Sequence, residues 1–282
     1  MHFAFPFTVG QILWALTFAA QLVLLVVLLG RDRVGRYPWF TAGVALFALR
    51  LLTEVLLAGR MAIPVLRIIF ISMAFVAAVV GLLVVLEVAR RAFAGAQPRT
   101  WAIGAFVLLA VAGGVLAVWG PWPARKDLAF DSPFAVLKLM QLAAQKGDLL
   151  IDLLTVQLGL LVVLFGRRFK AGWHSHTQRI VIGLSTVAAS WLLVEGVWQA
   201  IAMTAHPHSQ EEYERLIGLG GKLVNANKVV FILALVWWIA CLWVDEPGMA
   251  PAASEPVALP VPEAEPAEET NPEPEDTSSV SQ

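Results

Sequence analysis

Seven times between Thr8 and Val244 the chain carries an apolar run long enough to cross a bilayer, and nothing else restricts its fold as strongly. The hydrocarbon core is about 30 Å thick, and about 20 apolar residues in a helix span it. The runs are Thr8–Leu29, Trp39–Leu57, Arg67–Val88, Trp101–Trp119, Leu149–Phe165, Ile180–Met203 and Leu223–Val244. Lipid offers the backbone no hydrogen bonds, so each run is read as a helix that satisfies its own. The expected fold is therefore all-α: a polytopic membrane bundle of seven transmembrane helices covering residues 1–244. With 59% apolar and 15% charged residues among 282, the apolar excess is too large for one soluble core and calls for a lipid bilayer as partner.

Residues 245–282 are different in kind. They hold ten of the 21 acidic residues, eight of the 16 prolines and no Lys or Arg. Such a segment buries too little apolar surface to offset the entropy of ordering it, and it reads as a disordered Pro/Glu-rich tail. Residues 1–244 then carry 20 basic against 11 acidic groups.

That positive charge is unevenly placed, and the imbalance predicts orientation. Arg31, Arg33 and Arg36 lie in the first connection, Arg90, Arg91 and Arg99 in the third, and Arg167, Arg168, Lys170 and Arg179 in the fifth. Short loops rich in Lys and Arg stay in the cytoplasm. The N-terminus is accordingly expected outside and the tail in the cytoplasm, in the cell (inner) membrane. Trp39, Trp101, Trp119, Trp122 and Trp243 fall near run ends, as an interfacial aromatic belt requires. The first run has no positive residue before it and no clear small-residue cleavage site after it, so it is expected to remain in the membrane. In the fourth connection, Ser132 and Pro133 suit an N-cap and first helical position. The segment they open reads either as a short amphipathic surface helix or as an extension of the fifth span.

Polar residues within the runs gather toward one side. With a rise of 1.5 Å per residue, Lys228 comes about 7 Å and Glu195 about 12 Å below the outer ends of their spans. Arg50 and Glu54 share a helix face four residues apart, and Gln11, Asp152, Gln157 and Gln199 fall at similar depths. Glu87 lies at the opposite, cytoplasmic end beside Arg90 and Arg91, and reads as interfacial. Charges at membrane depth are costly, usually face the bundle interior and mark functional sites. An outward-facing polar cavity lined by Arg50, Glu54, Asp152, Glu195, Asn225 and Lys228 is the expected ligand site, and a Glu195–Lys228 pair across the sixth and seventh spans is geometrically possible. The competing reading makes these residues structural: Lys228 and Asp152 snorkel, and Arg50 and Glu54 satisfy each other.

Other chemistry is thinly represented. Cys241 is the single cysteine, so there is no internal disulfide and no cysteine metal cluster. His206 and His208, with Glu211 and Glu212, form a weak candidate for a metal on the outer side. His174 and His176 lie across the membrane from them and share no ion. No phosphate-binding glycine loop or nucleophile motif occurs, so no enzymatic activity, no cofactor and no nucleic-acid partner is expected. Gly113, Gly114, Ala77 and Gly81 are small residues of the kind that let helices approach closely.

The stretch Lys228-Val229-Val230-Phe231 is similar to the retinal-binding segment of microbial rhodopsins. Lys228 sits too near the outer end for that role, however, and no Asp-rich proton-acceptor motif occurs in the third run. Over most of residues 1–244 the chain resembles a group of uncharacterised seven-span proteins found in bacteria. The resembling stretches are GRYPWFTAGVALFALRLLTE and GLLVVLFGRRFKAGWHSHTQRIVIGL. That resemblance implies the architecture and no activity.

The expected function is receptor- or sensor-like: a small-molecule ligand read on the outer side and a signal passed to a cytoplasmic protein partner. One alternative is a small-solute carrier, which needs a polar path from both sides. The other is a non-catalytic accessory or scaffold subunit of a membrane complex, held by its tail or its basic loops.

Overall fold

The computed structural model describes residues 8–57, 60–94, 98–119, 122, 133–165, 175–204 and 209–245. Among these are seven α-helices and no strand: α1 Val9–Gly30, α2 Pro38–Leu57, α3 Ile63–Ala92, α4 Pro98–Val118, α5 Pro133–Phe165, α6 His176–Thr204 and α7 Gln210–Trp243. Six are long and apolar enough to cross a membrane, while the apolar part of the fourth, Ala102–Val118, is shorter. Met1–Glu246 forms one compact unit. The predicted acidic tail past Asp245 lies outside the described residues, as do His206 and His208.

Helix starts follow local chemistry. Thr8 caps α1 through a box in which its side chain accepts from the Gln11 amide and its own N–H donates to Gln11 Oε1 at 2.9 Å. Gln11, expected among the intramembrane polar groups, is thereby a capping residue. Pro64 sits in the first turn of α3, where no N–H is missed. Ser209 accepts from Glu212 N at the start of α7, with Glu211 and Glu212 complementing the helix dipole. α5 is continuous from Pro133, so the segment before Leu149 extends the fifth helix rather than forming a separate surface helix. α7 likewise begins at Gln210 rather than near Leu223.

α1 ends in a Schellman turn. Arg33 N donates to Leu28 O (2.9 Å) and Asp32 N to Leu29 O (3.2 Å), with Asp32 left-handed at φ 51°. This reversal sends the chain straight into α2.

Six helices close a ring, α1–α2–α3–α5–α6–α7 and back to α1, with an α3–α6 contact across it. α4 stands outside the ring, against α5. Small residues set the closest approaches between α3 and α5: a Cβ on Gly81 would meet Ile151 Cδ1 at 3.0 Å, and one on Gly147 would meet Ala78 Cβ at 3.1 Å. Gly113 and Gly114 do not act this way, since a Cβ on either meets nothing within 4 Å. Hydroxyls inside the helices bond back one turn, as Thr17 does to Leu13 O (2.7 Å) and Thr186 to Ile182 O (2.8 Å), so they cost little in apolar surroundings.

Burial is concentrated at the end of the ring that carries Arg31, Arg33, Arg36, Arg90, Arg91 and Arg179, here called the basic end. Leu24, Leu28, Tyr37, Phe40, Val88, Ile180, Val181, Leu235, Trp238 and Leu242 form the tight part of the core. All belong to the helix halves nearest that end. The opposite halves, called here the far end, bury few side chains.

Candidate functional site

The basic end is held by a buried polar network. Tyr37, fully buried, directly precedes Pro38, the first residue of α2. Its hydroxyl lies 2.8 Å from Thr177 Oγ1 at the start of α6. The Arg91 guanidinium covers the Tyr37 ring at 5.1 Å, with that of Arg36 at 5.8 Å. Glu87, on α3, accepts the Phe40 N–H through Oε2 at 3.0 Å and stands 4.0 Å from Arg91. A carboxylate from one helix thus satisfies a first-turn donor of another, where the dipole favours negative charge. Glu87 is 9% exposed, so at its end of α3 it serves as a buried cap for α2.

α6 enters this network at its N-terminus. Ser175 Oγ accepts from Gln178 N at 3.3 Å, and His176, Thr177 and Gln178 are all buried. The Gln178 side-chain amide has no protein hydrogen-bond partner. Nearby, Trp238 of α7 packs edge-on against Phe40 of α2, centroids 5.3 Å apart at 84°. It reaches in over Gly183, where any Cβ would collide with the indole. Trp237 Nε1 donates to the Arg179 carbonyl at 3.3 Å, and Arg33 pairs with Asp245 at 2.9 Å.

Of the six residues expected to line a cavity, Arg50, Glu54, Glu195 and Asn225 lie in the far halves of their helices, whereas Asp152 and Lys228 fall just past the midpoints of α5 and α7 on the basic side; they form two groups. The first holds Arg50 and Glu54 of α2 together with Asp152 of α5, where Asp148 stands one turn before Asp152. Glu54 is exposed and makes no ion pair with Arg50. In the second group, Glu195 accepts from Gln199 Nε2 at 3.3 Å, and Ser190 Oγ donates to Asn227 Oδ1 at 2.8 Å, joining α6 to α7. Asn225 and Lys228 are half-buried. The Glu195–Lys228 pair that the sequence left open is not made: Glu195 turns to its own helix, and no ion pair joins the two.

Asp148 directly precedes the fifth apolar run, Leu149–Phe165, and so falls outside the expected set. The basic-end network was not foreseen at all, although one signal was present. α2 opens on Tyr-Pro-Trp without an Asp, Ser or Thr cap, which left its first donors in need of an outside acceptor. Among the described residues no three His, Cys, Asp or Glu side chains converge on a metal-sized site.

One open groove lies away from the ring. It occupies about 740 Å³ between the far ends of α4 and α6, lined by Gly114, Val115, Val118, Trp119, Gly196, Gln199, Ala200, Met203 and Thr204. Lys146 of α5 stands at its rim, donating to the Trp119 carbonyl and lying 4.8 Å from the centre of the Trp122 ring.

No protein-family model, no curated protein and no solved structure matches the chain. Six apolar helices long enough to cross a bilayer define a helical, membrane-type protein.

Proposed function

We propose that all seven helices span the membrane, with the far end outside and the basic end in the cytoplasm, and that the protein is a receptor or sensor of the bacterial cell (inner) membrane. A small molecule enters from outside between Arg50, Glu54, Asp152, Glu195, Asn225 and Lys228. A cytoplasmic partner reads the basic end. The N-terminus is then outside.

One observation carries this reading: the split between a tightly buried basic end and a far end where ionisable side chains remain half-buried or exposed. Charged groups at membrane depth persist where they face water or a ligand. Excess Arg at the buried end supports placing it in the cytoplasm. The close packing of Leu24, Leu28, Val88, Ile180, Leu235 and Leu242 at that end counts against a carrier, which needs an open path from both sides. An accessory subunit would need the basic end alone and would leave the far-end charges without a use.

Accessibility tests the proposal. On a Cys241→Ser background, single cysteines at positions 50, 152, 195 and 228 are exposed to a membrane-impermeant maleimide. Labelling in intact cells but not in inside-out vesicles is the expected result. Labelling from both sides would establish the carrier, and labelling from neither would leave the far-end charges structural.

A further inference from the structure

We propose that the groove between α4 and α6 is a binding site for an anionic phospholipid, with one acyl chain against Gly114, Val115, Gly196 and Ala200 and the phosphate at Lys146. The inference rests on the membrane placement of α4 and goes beyond the receptor reading, which does not use this groove.

The depth fits. α4 is 21 residues long, about 31 Å at 1.5 Å per residue, so Trp119 comes at the far boundary of a hydrocarbon core about 30 Å thick. The groove runs down from that boundary along α6 from Thr204 to Gly196, roughly 12 Å. Its volume of about 740 Å³ falls within the range of small-molecule sites. Gly114 and Gly196 make it deep: a Cβ on Gly114 meets nothing, and one on Gly196 meets only Trp119 Cη2, at 3.7 Å.

The rim carries the groups that a lipid headgroup needs. An ammonium has three donors, and Lys146 uses one on the Trp119 carbonyl, leaving two for phosphate oxygens. Trp122 places an indole beside the cation. The Lys146 ammonium beside Trp119 and Trp122 is a fixed positive charge where the headgroup would lie, which favours an anionic phospholipid over a zwitterionic one.

The test is native mass spectrometry of the full chain equilibrated with equal amounts of phosphatidylglycerol and phosphatidylcholine. Wild type and Lys146→Arg are expected to retain one phosphatidylglycerol per chain with a preference of about fivefold, the effect of one lysine at an anionic headgroup. Lys146→Gln should lose the preference, and Ala200→Phe, which fills the groove from an exposed position, should lose the lipid. Val115→Phe does the same from α4 if Ala200→Phe does not fold. Equal retention of both lipids, an adduct unchanged by these variants, or an adduct with a non-lipid mass would overturn the site. A lipid-free mass in a protein whose cysteine labelling still matches the expected topology would refute this site and leave the membrane reading standing.

Discussion

The hydroxyl oxygens of Tyr37 and Thr177 lie 2.8 Å apart, although 140 positions separate the two residues. This bond ties the first turn of α2 to the first turn of α6 within the buried basic end. α2 and α6 are not neighbours in the ring, so the pair acts across the interior.

Tyr37→Phe should therefore lower stability by about 1 kcal/mol, the net value of a buried hydrogen bond, while keeping the ring beneath Arg91. Thermal unfolding in detergent measures this. Thr177→Val should cost a similar amount, and the double variant should cost less than the two together, because the partners share one interaction.

Glu87 tests the cap that α3 lends to α2. Glu87→Ala leaves the buried Phe40 N–H without its acceptor and should cost about 1–3 kcal/mol. Glu87→Gln keeps an acceptor oxygen while losing the charge that favours Arg91 and the helix dipole, so it should cost less. Unfolding midpoints ordered wild type, Gln, Ala check the assignment, and equal midpoints for the two variants would reject it.

At Gly183 one methyl group is already too large. Gly183→Ala must push Trp238 off α6 and disturb its edge contact with Phe40, an overpacking cost of about 1–3 kcal/mol. The change should be visible as altered tryptophan fluorescence together with a lower unfolding midpoint. Gly10→Ala, where the added carbon meets nothing, serves as the control.

Glu195 and Lys228 make the opposite kind of prediction. Because no ion pair joins them, the effects of Glu195→Gln and Lys228→Met on the unfolding free energy should add to within about 0.5 kcal/mol. A larger deviation in the double variant would show that the two charges meet.

The helices were legible in the sequence because length without charge is a strong signal, and Thr8, Pro64 and Pro133 mark their starts for backbone reasons that hold in any surroundings. Where α5 begins was not decidable. The segment Leu137–Lys146 is amphipathic enough for a surface helix, and Gly147 could have broken the chain. The structure uses Gly147 to admit Ala78 instead, which only the neighbouring helix reveals. The position of the polar side chains along each helix was readable, but their partners were not. Rotation about the helix axis decides whether Glu195 meets Lys228 or Gln199, and nearly uniform apolar runs carry little information about rotation. Glu87 shows the same limit: sequence placed it beside arginines, and only the fold turned it onto α2.

α7 is 34 residues long and is held most tightly around Trp238 and Leu242 at one extremity, with lighter contacts to α6 farther along, at Asn227 and Gly220. A rod pinned in that manner converts angle into travel. Rocking it by about 5° around the pinned turns would carry Gln210 through about 4 Å, given a rise of 1.5 Å per residue. Run backwards, the same lever turns a displacement at Gln210 into a small twist with high mechanical advantage at Trp238, directly against the first turn of α2.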